Sequence, residues 1–305
     1  MPPPSSPLVE LGRELLRRGY RFTTITPETH RRVNAHAPRL ARSLRDVFGW
    51  SRPFEPETLR GALLDGLRAA GALEETPDGF RSQVRASSLG DYLFLHSAYP
   101  TTDANAVFFG PDTYRFCRAI ERASLHAKSV VDVGCGTGAG GIVAREAVQA
   151  ARVVLADVNE EALTYARINA EINRVPEPEI VQSDVLASVT GDVNLVVANP
   201  PYMRDAACRT YRDGGGSLGE RLAVRIAEES LARLTRGGTL LLYTGAAFVE
   251  GRDTFFDAVE PVLARANASF DYQEIDPDVF GEELDQPGYA AVERIAAVVL
   301  RATSS

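Results

Sequence analysis

Val130-Val131-Asp132-Val133-Gly134-Cys135-Gly136-Thr137-Gly138-Ala139 is the stretch whose reading decides the fold. Val130 to Val133 is a short, β-branched apolar run, the composition of a central parallel strand buried on both faces. Gly134, Gly136 and Gly138 then remove β-carbons where the backbone must turn sharply, so a ligand can lie almost on the main chain. A helix opening at Ala139 points free N–H groups at that ligand. The spacing Gly134-x-Gly136-x-x-Ala139 equally fits a dinucleotide fingerprint, so the glycines alone do not select a cofactor.

Downstream of this turn the pattern alternates. Strands are expected at Val130–Gly134, Arg152–Val158, Glu179–Val185, Val193–Ala198 and Gly238–Thr244, with helices near Ala139–Ala150, Glu160–Asn173 and Leu218–Leu234 between them. Such alternation predicts an α/β, mostly parallel sheet covered on both faces. A helix over Asp253–Ala266 and strands at Ser269–Ile275 and Arg294–Arg301 follow, separated by a proline- and acid-rich loop, 276–289.

Upstream, residues 8–98 read as a small helical domain. Leu8, Leu11, Leu15 and Leu16 recur at helical spacing. Thr26-Pro27-Glu28 is a cap followed by proline at the first helical position. Val33, Leu40, Leu44 and Val47 continue a stripe broken at Pro38, and Glu57 to Gly71 is amphipathic. Thr76-Pro77-Asp78-Gly79 then signals a hairpin. Helices followed by a hairpin resemble a winged-helix domain, a docking module more than a DNA reader here, because the Leu59–Leu67 helix carries no basic run. Residues 99–112 read as a linker in which Val107-Phe108-Phe109 pairs as a short strand, and a helix is expected near Thr113–Ala127. Residues 1–7 read as a disordered lead with no basic or apolar signal-peptide region.

Net charge is −8, which argues against sequence-blind attraction to nucleic acid. Residues 1–100 nevertheless balance at +3 and the remainder at −11; the basic excess between Arg13 and Arg45 reads as a solvated helical face. No apolar run approaches the roughly 18 residues of a membrane helix. Three scattered cysteines, Cys117, Cys135 and Cys208, suit a reducing cytoplasm, and no His/Cys spacing suggests a metal.

Three further positions carry chemistry. Asp157 ends the second strand, where a carboxylate accepts ribose hydroxyls; as an alternative it caps the next helix. Asp184 and Val185 end the third strand, within reach of a base. Asn199-Pro200-Pro201-Tyr202 follows the strand Leu195-Val196-Val197-Ala198. Two prolines force a rigid extended loop and have no N–H, so the carbonyls of Asn199 and Pro200 stand as acceptors without competing donors. With the Asn199 side chain and the Tyr202 ring, they suit a planar amide or amino nitrogen.

Taken together, residues 108–303 resemble a class I S-adenosylmethionine-dependent methyltransferase with the NPPY signature, and among these the protein-glutamine N-methyltransferases and their amino-methyltransferase relatives. The resemblance implies a Rossmann-like seven-stranded sheet with its last strand antiparallel, and S-adenosyl-L-methionine as cofactor. It implies cofactor contacts from Thr113, Asp132, Gly134, Cys135, Gly136, Gly138, Asp157, Val158, Asp184, Val185 and Asn199. Catalytic positioning falls to Asn199, Pro200, Pro201 and Tyr202. The methyltransferase domain then spans 113–305. Phe109-Gly110-Pro111-Asp112-Thr113 and Asp213-Gly214-Gly215-Gly216-Ser217-Leu218 match segments that this family keeps beside the cofactor and before the next helix. The expected acceptor is a protein glutamine. A nucleic-acid base and a small metabolite share the same site chemistry, and a cofactor-sensing DNA-binding regulator is the reading outside enzymology.

Overall fold

The computed structural model describes residues 6–205, 209 and 211–305. Most of the expected lead and Cys208 lie outside these residues. The front of the chain holds four helices, α1 (Pro7–Arg17), α2 (Pro27–His36), α3 (Leu44–Phe48) and α4 (Ala62–Ala69), then two hairpins. The first hairpin pairs β1 (Leu73–Thr76) with β2 (Gly79–Ser82), and the second pairs β3 (Val84–Leu89) with β4 (Tyr92–Ser97). Thr26 caps α2 through its side chain, which accepts from the Thr29 N–H, with Pro27 at the first position. The helix expected over Glu57–Gly71 is shorter because Gly61 sits at φ +63°, a left-handed kink that starts α4 one residue later. Val107–Phe109 forms no strand: the Ser97 N–H donates to the Val107 carbonyl, but the Val107 N–H returns to the Ser97 side-chain oxygen and not to a strand backbone.

The rest alternates as read. In order come α5 (Pro111–Arg122), β5 (Ser129–Val133), α6 (Ala139–Val148), β6 (Arg152–Asp157), α7 (Glu160–Ile172), β7 (Glu179–Gln182) and β8 (Val193–Ala198). After these come α8 (Arg221–Arg233), β9 (Leu234–Val249), β10 (Arg252–Asp253), α9 (Thr254–Arg265), β11 (Ser269–Asp276) and β12 (Arg294–Thr303). The sheet order is β11-β12-β9-β8-β5-β6-β7, with β10 paired to the end of β9. Strands β5 to β9 are parallel, whereas β12 runs antiparallel between β9 and β11. This is the seven-stranded arrangement expected, with its order reversing between β5 and β8, where open α/β sheets hold ligands.

Alternate strand residues serve opposite faces. Val130, Leu155, Val197 and Leu241 pack under α5, α6 and α7, while Val131, Val154, Val196 and Leu242 pack under α8 and α9. Helix α7 is buried twice. Leu163 and Ala166 face the sheet, whereas Ala162, Tyr165, Ile168 and Ile172 complete the core of the front elements with Leu11, Leu15 and Leu95. A side chain on Gly12 of α1 would collide with Ile172, so the two helices meet without a β-carbon between them.

One turn apart on α7, Asn169 and Asn173 act as a substitute strand for β4. Asn169 Oδ1 accepts from the Leu95 N–H at 2.7 Å, and its Nδ2 donates to the carbonyls of Leu95 and Thr137. Asn173 makes the same pair of bonds to Leu93. Side-chain amides thereby satisfy a strand edge that would otherwise be buried unpaired. Several arginines of the front segment make surface ion pairs, Arg17 and Arg18 with Glu14 and Arg31 and Arg32 with Glu28 among them. Among the described residues, no helix is long and apolar enough to cross a membrane.

Candidate active site

A cavity of about 500 Å³ opens at the carboxyl ends of β5, β6 and β8. Thr113, Asp132, Gly134, Cys135, Gly136, Asp157, Val158, Asp184, Val185, Asn199, Pro200, Pro201 and Tyr202 all line it. Gly138 does not. It caps α6 at φ +80°, and a β-carbon there would lie 3.2 Å from Leu155 and 3.4 Å from Ala166. Its smallness serves helix–strand packing, which corrects the expectation that it faces the ligand. Gly134 and Gly136, at φ +67° and +52°, have no protein atom within reach of a β-carbon, so the space beside them belongs to the cavity.

The carboxylates of the glycine turn are held by the backbone. Asp157 accepts from the Gly136 N–H through one oxygen and from the Asn159 N–H through the other, each at 2.9 Å. Asn159, and not Asp157, caps α7, accepting from the Glu161 N–H. Asp157 therefore fixes the turn and keeps lone pairs for a further donor. Asp132 accepts from the Gly141 N–H at 2.7 Å in the first turn of α6. Burial, opposed by that bond and reinforced by nearby Asp157, pushes its carboxyl up to about 7. Burial also raises Asp157 and Asp112. A cationic ligand beside such carboxyls favours their ionised form and offsets the cost of burial. Val158, 52% exposed beside Asp157, offers an apolar surface. Val185 sits at φ +51°, a conformation strained for a β-branched side chain, in the same wall. Asp184 is engaged: both its oxygens take the Arg225 guanidinium of α8, at 2.9 and 2.8 Å.

The diproline wall is built differently. The carbonyls of Asn199 and Pro200 and the Asn199 side chain accept or donate no hydrogen bond among the described residues. Behind them the glycine-rich loop clamps the turn. Met203 donates to the Arg212 carbonyl and accepts from the Gly214 N–H. A β-carbon on Gly214 would lie 2.6 Å from the Pro201 oxygen, and one on Gly219 would strike the Tyr202 carbonyl. The three glycines at 215, 216 and 219 have positive φ, which delays α8 from the expected Leu218 to Arg221. The Tyr202 ring packs on Gly245 of β9, where any side chain would displace it, and stands edge-on to Phe280 with centroids 6.0 Å apart. Its hydroxyl is buried beside Asp112 and Tyr243 with no hydrogen bond of normal geometry among the described residues, and burial together with the neighbouring Asp112 holds the phenol well above its usual range.

Sequence reasoning missed three groups here. Asp112 lines the cavity and accepts from the Tyr243 hydroxyl at 2.6 Å; only its place in the Gly110–Thr113 segment hinted at it. Phe280 belongs to the acidic loop, which folds over the diproline turn: Tyr289 accepts from the Arg204 N–H, and Glu283 pairs with Arg212. Finally, Ile25, Pro27, His30, Arg85 and Tyr99 of the front segment also form cavity wall.

Comparison with known proteins agrees with this geometry. Residues 113–250 match the family model described as the methyltransferase small domain. The chain is 32% identical over 196 residues to the release factor glutamine methyltransferase of Deinococcus radiodurans, covering 60% of this chain and 66% of that protein. It is 34% identical over 127 residues to the release factor glutamine methyltransferase of Lactococcus lactis, covering 38% and 47%. Against ribosomal RNA small subunit methyltransferase C of Actinobacillus succinogenes it is 30% identical over 140 residues, covering 45% and 38%. The matched part thus spans just under two thirds of the first relative and less than half of the other two. Among solved structures, wild-type Trm5b from Pyrococcus abyssi shares the fold with a TM-score of 0.52 at 12% identity, over 76% of this chain and 62% of that one. TYW2 of M. jannaschii, solved in complex with AdoMet, gives 0.50 at 13% identity over 72% and 85%. With its glycine turn and diproline loop meeting at one cavity, the segment 113–250 matches the methyltransferase small domain model.

Proposed function

We propose that this chain is an S-adenosylmethionine-dependent N-methyltransferase acting on a planar amide or amino nitrogen, first of all the side-chain amide of a protein glutamine. The observation that carries this reading is the juxtaposition of two loops in one cavity, a glycine turn beside buried carboxylates and a diproline turn with unpartnered acceptors. S-adenosylmethionine, when bound, supplies a methyl group on a cationic sulfonium. The chain's own residues do the rest by alignment. Asp157 takes the ribose hydroxyls on lone pairs left by Gly136 and Asn159. Val158 and Val185 flank the adenine. Asp132 and Asp112 face positive charge, and Thr113, whose hydroxyl accepts from the Gly110 N–H, holds the start of α5 beside them. The Asn199 side chain and the Pro200 carbonyl accept the N–H groups of the acceptor and stabilise charge as the nitrogen becomes cationic. Tyr202, backed by Gly245, fixes the acceptor plane with its ring.

The glutamine assignment draws on the release factor glutamine methyltransferases among the relatives. Methylation of an RNA base is the second reading, favoured by the ribosomal RNA methyltransferase relative. We further propose that residues 8–98 form a docking domain joined by 99–112 to the methyltransferase domain, and that the protein works in the cytoplasm, where the buried thiols of Cys117 and Cys135 stay reduced. The test is incubation with methyl-labelled S-adenosylmethionine and, separately, glutamine-containing polypeptides, RNA and DNA. Label on a glutamine amide, slowed by about 10²-fold or more with Asn199→Ala, is the expected result. Label on RNA alone selects the second reading, and no label on any acceptor overturns both.

A further inference from the structure

The cavity wall contributed by the front segment contains a charge that the methyl-transfer reading leaves unused. Arg85 of β3 is 4% exposed, yet no carboxylate pairs with it among the described residues. The other two cavity arginines differ: Arg209 is held by Asp205, and Arg212 by Asp205 and Glu283. Arg85 Nε donates to the Gly49 carbonyl at 3.0 Å, and its Nη2 reaches His30 Nδ1 at 3.5 Å. His30 Nε2 faces the Trp50 carbonyl at 3.0 Å. A carbonyl only accepts, so Nε2 carries the hydrogen and Nδ1 is the acceptor for Arg85. Burial and the Arg85 charge pull His30 down to about 4, so the ring is neutral and does not compensate the guanidinium. Tyr99 stacks on His30 at 4.0 Å and the Phe22 ring lies 5.8 Å from the guanidinium carbon, so both are held in place by aromatic contacts. That leaves Nη1 without a hydrogen-bond partner among the described residues, in a side chain that lines the cavity. A buried guanidinium with open donors is a fork waiting for a planar anion.

We infer that Arg85, with His30 and Tyr99, forms a subsite for an anionic group, a carboxylate or a phosphate, carried by the methyl acceptor. The cofactor's own carboxylate has another home. The amide N–H groups of Ala139 and Gly140, which open α6 at the glycine turn, have no partner among the described residues. The subsite rests on the methyltransferase reading for its occupant, but the binding test below does not require turnover.

The protein saturated with S-adenosylhomocysteine is titrated calorimetrically with N-acetylglutamine and with its carboxamide, which present the same side-chain amide with and without a carboxylate, and with inorganic phosphate. The wild type should favour the carboxylate probe by about tenfold, the scale of one charge-assisted pair. Arg85→Gln should erase that preference, Arg85→Lys should retain part of it, and both should bind S-adenosylhomocysteine within about twofold of wild type. Equal binding of the two glutamine probes by the wild type overturns the proposal, as does failure of both N-acetylglutamine and phosphate to bind. Loss of S-adenosylhomocysteine affinity in a folded Arg85→Gln protein also overturns it, because the anion would then be the cofactor's. Those wild-type outcomes need no variant to fold, and methyl transfer without an anion preference would sink this inference while leaving the proposed reaction intact.

Discussion

The two loops that face each other across the cavity reach rigidity by opposite routes. On the glycine-turn side the protein satisfies its own carboxylates: Asp157 takes the N–H groups of Gly136 and Asn159, and Asp132 takes that of Gly141. On the diproline side stiffness comes from proline rings and from glycines pressed against the turn, and Asn199 is left with nothing to bond among the described residues. The first wall is preorganised by hydrogen bonds already made, the second by covalent geometry with hydrogen bonds still to make. Damage to the first should therefore appear as lost affinity or stability, and damage to the second as lost turnover.

Asn199→Ala breaks that comparison most directly. It removes an acceptor aimed at the reacting nitrogen, and turnover should fall by about 10²- to 10³-fold, or about 3–4 kcal/mol of barrier. Cofactor affinity, read by calorimetry, should stay within a few fold. A parallel collapse of affinity would show that the two walls are one site energetically.

Next in size is a change behind the glycine turn. Asn169 bonds Leu95 twice and the Thr137 carbonyl once, with no solvent access. Asn169→Ala leaves three buried backbone groups unsatisfied and should lower stability by about 3 kcal/mol in urea titration. Asn173→Ala, at a half-buried position, should cost less. Equal losses would mean that the burial of Asn169 and its link to Thr137 add nothing beyond what Asn173 gains from Leu93 and the Asn169 carbonyl.

How much of this was legible in the sequence follows the same division. Alternating apolar strands and helices announce a parallel sheet because each buried strand must read as a continuous β-branched run, and Val130–Val133 and Leu195–Ala198 do. Diproline after such a strand was legible because proline has no N–H whatever its surroundings. The substitute strand on α7 was not: Asn169 and Asn173 look like ordinary helix positions until β4, 74 residues away for Leu95, is placed against them. Gly138 was misread for a similar reason. A glycine that admits a ligand and one that admits a neighbouring helix have the same local signature, and only Leu155 and Ala166 tell them apart. The acidic loop at 276–289 carried no periodicity, so its cover over Tyr202 was invisible.

A smaller effect sharpens the account of the glycine-turn wall. In the folded protein Asp132 titrates at about 7, against roughly 4 for an exposed aspartate. A raised pKa means that the folded state holds the proton more tightly. Its contribution is complete below pH of about 4 and is lost as pH rises through 7. In the Asp132→Asn variant the side-chain amide does not titrate and keeps an acceptor for the Gly141 N–H. The variant should thus gain on the wild type by about 2 kcal/mol between roughly pH 5 and pH 8, measured by denaturant titration without ligand. Cofactor affinity should move the other way, since the wild-type carboxyl releases a proton to meet a cation. A difference between the two proteins that is flat with pH would remove Asp132 as a charge in the site.

The smallest expected effect concerns Asp184, where the family resemblance and the geometry pull apart. Resemblance assigns it to the base of the cofactor, but its carboxylate is 60% exposed and gripped by Arg225 through both oxygens. An exposed pair of this kind is worth about 1 kcal/mol or less, so losing it leaves the fold intact. Asp157→Ala should weaken S-adenosylmethionine by about 1–3 kcal/mol, the scale of a charged hydrogen bond. Asp184→Ala should weaken it by less than about 1 kcal/mol. The pair is best read against Arg225→Ala, which frees Asp184 for another donor. If Asp184 does reach the base, Arg225→Ala should tighten cofactor binding in calorimetry, and adding Asp184→Ala should cancel the gain. If Arg225→Ala leaves affinity unchanged, the ion pair only staples β7's following loop to α8, and Val158 and Val185 hold the base through apolar contact.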